Sequence, residues 1–205
     1  MNDEFTYIID KVTDLYLQFG IRSVTMDDVA RELGMSKKTL YNYVTNKDDL
    51  VRNFVDHLQN QRSCNVQTIL DKNLNAIEEL MEVNEHVIGM LKNYNPSTEY
   101  DLRKYYPQHY ERIRKLRRNN MYKAVIENIQ KGKREGLFRE NMREDIIARV
   151  HVSRIENSFA NEMFSIEELT SREFVTEMME YHIRGIASMK GIEFFEKKMK
   201  EKKKK

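Results

Sequence analysis

The sequence predicts an all-α fold in which a small N-terminal unit of three helices leads into a larger helical region. Three observations predict it. Apolar residues recur at three- and four-residue steps along the chain, the spacing of one face of a helix. Residues able to cap helices stand at the head of most of these rows. Glycine and proline are scarce, 7 and 2 in 205 residues, and positions 35–88 contain neither. A sheet with many tight turns needs both residue types.

The elements follow in order. Phe5, Ile8, Ile9, Val12, Leu15, Tyr16 and Phe19 form the inner face of a first helix, and Gly20 suits a left-handed cap at its end. Thr25 with Asp28 is a carboxylate variant of the capping box and opens a second, short helix, which Gly34 ends. Ser36 caps a third helix over 37–43. Asn46 and Asp49 open a fourth, whose inner face is Leu50, Val51, Phe54, Val55 and Leu58. No flexible linker separates residues 46 and 60, so this helix is expected to run unbroken out of the small unit. Asn75 and Glu78 cap a helix reaching about Tyr94, and Asn95–Ser97, with Pro96, marks a joint. Pro107 fits the first turn of a long helix ending near Gly136. Further helices are expected to open at Asn141–Glu144 and at Thr170–Glu173. The end, EKKMKEKKKK, reads as a solvated, frayed tail. The expected domains are 1–46, 47–190 and a C-terminal extension, 191–205.

Composition bounds the function. The formal net charge of +2 excludes a polycation or an acidic tail protein, so a nucleic-acid surface would have to be local. A single cysteine, Cys64, excludes an internal disulfide and a cysteine-based zinc site, and it reads as a small packed residue. Five scattered histidines form no ligand motif, so no metal site is expected. The N-terminus lacks a basic region followed by an apolar run, so it is no signal peptide, and no apolar run approaches a membrane span. The expected location is the cytoplasm.

The informative stretch is TMDDVARELGMSKKTLYNYVTNK, residues 25–47. A helix of about eight residues, a Gly34-Met35-Ser36 turn and a second short helix make a helix-turn-helix. Leu40 and Val44 form one apolar row of the third helix, to pack with Val29 and Leu33. The other rows pair Lys37 with Tyr41, Lys38 with Asn42, and Thr39 with Tyr43. Lysine, amide, hydroxyl and phenol groups on an outer face are the types that reach phosphates and base edges in a major groove. The same geometry also occurs in ordinary helical bundles, so the spacing alone leaves both readings open.

These residues resemble the DNA-binding domain of the TetR (tetracycline repressor) family. The resemblance runs from Phe5 to about Val51, through Phe19-Gly20, TMDDVARELGMS and KKTLYNYVTNKDDL. Its most specific part is Leu-Tyr-x-x-aromatic-x-x-Lys-x-x-Leu. Two positions depart: Val44 stands where phenylalanine is common, and Tyr43 where histidine is frequent. The resemblance implies a homodimeric repressor. Lys37, Lys38, Thr39, Tyr41, Asn42 and Tyr43 match recognition-helix positions, Thr25 a phosphate-contacting cap and Lys47 a phosphate-contacting lysine. It also implies that the last two long helices make the dimer and the middle helices an effector pocket. An effector would then swing the fourth helix and change the separation of the two recognition helices. A dimer reads half-sites about 34–36 Å apart, or a multiple of that, so a shift of a few ångströms would break simultaneous contact.

In the larger region, Tyr94, Tyr106 and Tyr110 with Met90 and Met121 are candidates for an adaptable apolar pocket, and Arg117 would favour an anionic effector there. The same residues fit ordinary core packing. The basic run 112–118, RIRKLRR, fits either a second anion surface or a solvated face. Ile147, Arg154, Ile155 and Phe159 on one helix, and Val175, Met178, Met179, His182 and Ile186 on another, are candidates for a four-helix dimer interface. They also fit packing within the chain, and only the resemblance tips the balance. No glycine-rich phosphate loop, nucleophile elbow or metal signature supports catalysis, and no cofactor is expected. The expected partners are an operator in double-stranded DNA, a small-molecule effector and a second copy, with no membrane. A helical small-molecule carrier without DNA binding is the competing reading.

Overall fold

A computed structural model describes residues 3–92, 94–159 and 163–202, with the backbone alone at positions 62, 63, 65 and 66. Among the described residues the regular elements are helices: α1 (Asp3–Phe19), α2 (Met26–Glu32), α3 (Lys37–Leu40), α4 (Lys47–Leu70), α5 (Ala76–Leu91), α6 (Pro96–Tyr105), α7 (Pro107–Arg134), α8 (Glu144–Ser158), α9 (Ile166–Thr170), α10 (Arg172–Ile186) and α11 (Met189–Lys202). They divide into two compact units, Met1–Asn65 with Asn93–Arg117, and Val66–Lys92 with Arg118–Lys205. Helices α4 and α7 each contribute to both.

In the first unit, Ile8, Ile9, Val12 and Tyr16 of α1 are buried as their spacing requires, and Gly20 ends the helix at φ 81°. The α2 capping box forms: the Asp28 amide donates to the Thr25 hydroxyl while the Asp28 carboxylate accepts from the Thr25 amide. Gly34 turns the chain at φ 63°, and the Ser36 hydroxyl accepts from the Thr39 amide to start α3. Asn46 accepts from the Asp49 amide at the head of α4. The α2–α4 segment closes on α1 through Val29, Leu40, Val44, Leu50 and Phe54, all in one core with Leu102 of α6 and Ile113 of α7.

The third helix is shorter than expected. α-Helical geometry ends at Leu40, and the chain tightens into three-residue steps, with the Asn42 amide on the Thr39 carbonyl and the Tyr43 amide on Leu40. Val44 stays inward at 2% exposure with its amide on the Leu40 carbonyl at 3.3 Å, while the Tyr43 ring turns from the outer row to stack on Phe5 with centroids 6.5 Å apart. The joint near Pro96 is also corrected. Asn95 caps a separate helix, and Pro96 occupies its first turn, where a missing amide hydrogen costs nothing.

In the second unit, Asn75 and Glu78 form the expected box at the head of α5. The core gathers Ile77, Leu137, Phe138, Ile183, Ile186 and Phe195. Among the described residues, one isolated antiparallel bridge pairs Phe138 with Ala187. Two glycines permit this close approach: a Cβ on Gly132 would lie 2.0 Å from the Phe138 ring, and one on Gly191 2.0 Å from the Leu137 carbonyl oxygen. Three boundaries differ from expectation. α8 begins after Arg143 with no side-chain cap, α10 is capped by Ser171, and Thr170 ends the short α9. The tail through Lys202 is helical because Phe195 of α11 is buried in the core and Lys198 pairs with Glu78 at 2.9 Å. Residues 203–205 of the tail lie outside the described residues.

Candidate nucleic-acid interface

Three side chains around α3 stay uncommitted. Lys38, Tyr41 and Asn42 are exposed and, among the described residues, make no side-chain hydrogen bond or ion pair. Their ammonium, phenol and amide groups can donate to phosphates, and the amide can also pair with an adenine edge. The other candidates are held. Lys37 donates to Asp27 of α2 at 2.9 Å, and that hydrogen bond raises its affinity for its proton. The Thr39 hydroxyl lies 2.8 Å from that of Ser36. Tyr43 is half-buried on Phe5, and its hydrogen bond with Glu4 raises its phenol. The surface presented outward is therefore narrower than the helical rows suggested, because the chain leaves α-helical spacing after Leu40.

Thr25 and Lys47 flank this surface at the heads of α2 and α4. The exposed Thr25 hydroxyl donates to Asp28 at 2.7 Å, and this and the amide hydrogen bond hold the Asp28 carboxyl below its ordinary range. The Lys47 ammonium reaches the Arg22 carbonyl at 3.4 Å. Burial lowers its proton affinity, and the charges of Asp101 and Asp28 work in the opposite direction. Helix α6 braces this corner through four positions three or four residues apart. Asn95 donates to the Gln18 carbonyl at 3.1 Å and Thr98 to Tyr16 at 2.7 Å, Asp101 accepts from the Arg22 amide at 2.7 Å, and Tyr105 accepts from the Arg22 guanidinium. Sequence reasoning missed this brace, since its partners lie about eighty residues away and leave no local pattern.

The pocket candidates fall in both units. Tyr94, Tyr106, Tyr110 and Arg117 belong to the first, Met90 and Met121 to the second. Tyr94 and Tyr110 come together: both phenols donate to Glu99, at 3.2 and 3.3 Å, and desolvation raises both. Glu99 is a further candidate that no periodicity signalled. Tyr106 is half-buried against the core, Arg117 is exposed, Met90 is 37% exposed, and Met121 packs against Val125, Ile129 and Ala148.

The dimer candidates also divide. Ile147, Met179 and Ile186 pack into the second unit's own core. Ile155 and Phe159 are exposed, as are Ile146, Val150 and Tyr181 on the same two helices. Val175 and Met178 are half-buried. Arg154 donates to the Met178 carbonyl at 3.1 Å. The His151 and His182 rings meet with centroids 4.0 Å apart. Burial pushes His151 down to about 3 and His182 to about 4, with the neighbouring Arg154 adding to both. Among the described residues no helix is long and apolar enough to cross a membrane.

Residues 8–54 match the family described as bacterial regulatory proteins, tetR family. No curated protein matches the chain by sequence. Among solved structures, a ketosteroid transcriptional regulator of Mycobacterium tuberculosis is similar at 16% identity, covering 92% of this chain and 97% of that one, with a TM-score of 0.56. A TetR-family transcriptional regulator from Cytophaga hutchinsonii shares 15% identity over 91% and 96%, with a TM-score of 0.70. A third, from Streptomyces coelicolor, shares 18% over 88% of each chain, with a TM-score of 0.66. Residues 8–54 therefore carry the DNA-binding domain of the tetR family of bacterial regulatory proteins, and the chain has the fold of the transcriptional regulators it is similar to.

Proposed function

We propose that the chain is a ligand-responsive, non-enzymatic transcriptional repressor that binds a palindromic operator as a homodimer and is released by a small-molecule effector. The observation that carries this reading is the uncommitted trio Lys38, Tyr41 and Asn42 between Thr25 and Lys47. DNA reading is assigned to residues 1–46, and effector binding and dimerisation to residues 47–190. The exposed apolar side chains Ile155 and Phe159, one helical turn apart at the end of α8, support a second copy as partner. The continuous helix α4 supports the coupling, because it begins at Lys47 and continues into the second unit.

The test is selection of bound sequences from a random pool of duplex DNA, repeated with Lys47→Ala. One enriched palindrome, lost by the variant, is the expected result. Asn42→Ala should relax preference at one or two base pairs by about 1–3 kcal/mol. Absence of any enrichment, including after unfolding and refolding to strip bound ligand, would overturn the assignment in favour of a carrier.

A further inference from the structure

Several cations of the first unit are paired with carboxylates: Lys37 with Asp27, Arg31 with Asp28, Arg52 with Asp49 and Arg112 with Asp56. One group is built differently. The Arg22 guanidinium lies over the Tyr105 ring, 4.8 Å from its centroid, and donates to its phenol oxygen. The Lys104 ammonium lies 5.4 Å from the same centroid and 5.2 Å from that of Tyr100, whose oxygen accepts from it at 2.8 Å. Among the described residues neither cation has a carboxylate partner at ion-pair distance. Both are exposed, and Tyr100 and Tyr105 are 47% and 37% exposed. The run joins the DNA-facing corner directly, since the Lys47 ammonium sits on the Arg22 carbonyl.

Resting on the DNA-binding reading, we propose that Arg22, Lys104, Tyr105 and Tyr100 form a second phosphate-contacting surface, which extends the DNA footprint from Lys47 onto α6. An aromatic face holds a long cationic side chain in place without neutralising it. A carboxylate partner would cancel the charge, and free solvation would leave the side chain to be ordered on binding at a cost in entropy. Stacking avoids both penalties. Phenol hydroxyls and exposed rings add hydrogen bonds to phosphate and contacts with the sugar edge. The neighbouring acid Asp101 is 7% exposed and already accepts from the Arg22 amide. Backbone contacts of this kind carry no sequence information and add affinity equally on any duplex.

The experiment measures the salt dependence of binding to mixed-sequence duplex DNA, so no operator is needed. Each phosphate contact contributes about 0.9 to the slope of log affinity against log salt concentration. Lys47→Ala should lower the slope by about 0.9, and Arg22→Gln with Lys104→Gln by about twice that. The double variant's loss should vanish on a duplex trimmed to the segment beneath the two recognition helices. Arg22→Gln keeps the backbone amide that Asp101 binds, and Lys104→Gln alone, expected to lose about 0.9, decides the matter if the double variant melts early. A lowered slope for Lys47→Ala with an unchanged slope for the α6 variants overturns this proposal and leaves the DNA reading standing. No binding by the unaltered protein overturns both.

Discussion

Replacing Tyr16 by phenylalanine should stabilise the protein. Tyr16 is 0% exposed, its ring meets Phe54 edge-on at 5.1 Å, and among the described residues its hydroxyl has no hydrogen-bond partner. Leaving such a group unsatisfied costs about 1–3 kcal/mol. Removing one oxygen leaves a void of roughly 10 Å³, worth about 0.2 kcal/mol at ~24 cal/mol per Å³. The net expectation is a gain of about 1 kcal/mol, or roughly 2–4 °C in Tm for a chain of this size. The backbone is untouched, so the Thr98 hydroxyl still donates to the Tyr16 carbonyl. Alkaline pH supplies a second arm. Burial, with Tyr106 nearby, holds the phenol well above its ordinary value of 10.0. Above that value the unfolded chain loses a proton that the folded chain keeps, so tyrosine costs stability as pH rises. The advantage of Tyr16→Phe should therefore grow above pH 10. Urea titrations of both proteins at neutral and alkaline pH measure this. A variant less stable than the parent by 1 kcal/mol or more would refute the reasoning, because it would show that the hydroxyl has a good partner in solution.

Two further predictions follow from the second unit. His151 and His182 are held at about 3 and about 4, against 6.5 for a free histidine, so the unfolded state takes up protons that the folded state refuses. Stability is full above pH 6.5 and falls as pH drops toward 4, by about 1 kcal/mol per histidine at pH 5.5. Thermal melts across this range should steepen less for His182→Phe. Gly191→Ala places a Cβ 2.0 Å from the Leu137 carbonyl and should cost at least about 3 kcal/mol. Gly89→Ala, at an exposed position of α5, meets nothing within 4 Å and should gain about 0.5–1 kcal/mol. Equal melting temperatures for the two alanine variants would contradict the packing described around the bridge.

What was legible in the sequence was local. Thr25, Ser36, Asn46 and Asn75 cap the helices they were expected to cap, because a cap joins a side chain to an amide two or three residues away. Gly20, Gly34 and Gly136 take positive φ at the helix ends where their spacing put them. The helix-turn-helix followed from one apolar row between two such signals. The candidate site was legible in part. The residue types on α3 were readable, but the freedom of Lys38 and Asn42 and the pairing of Lys37 with Asp27 depend on where α2 lies.

The sequence alone determined the helical class, the order of its first helices and the family resemblance, since periodicity and capping act within one or two turns. Only the tertiary structure decided the rest. It ended α3 at Leu40 and turned Tyr43 from the outer row onto Phe5. It made α11 a helix by burying Phe195, where a run of lysines predicted fraying. It brought Asp101 and Tyr105 to Arg22 across about eighty residues of chain. Such contacts form only after the intervening helices have packed, so nothing in the spacing of neighbouring residues encodes them.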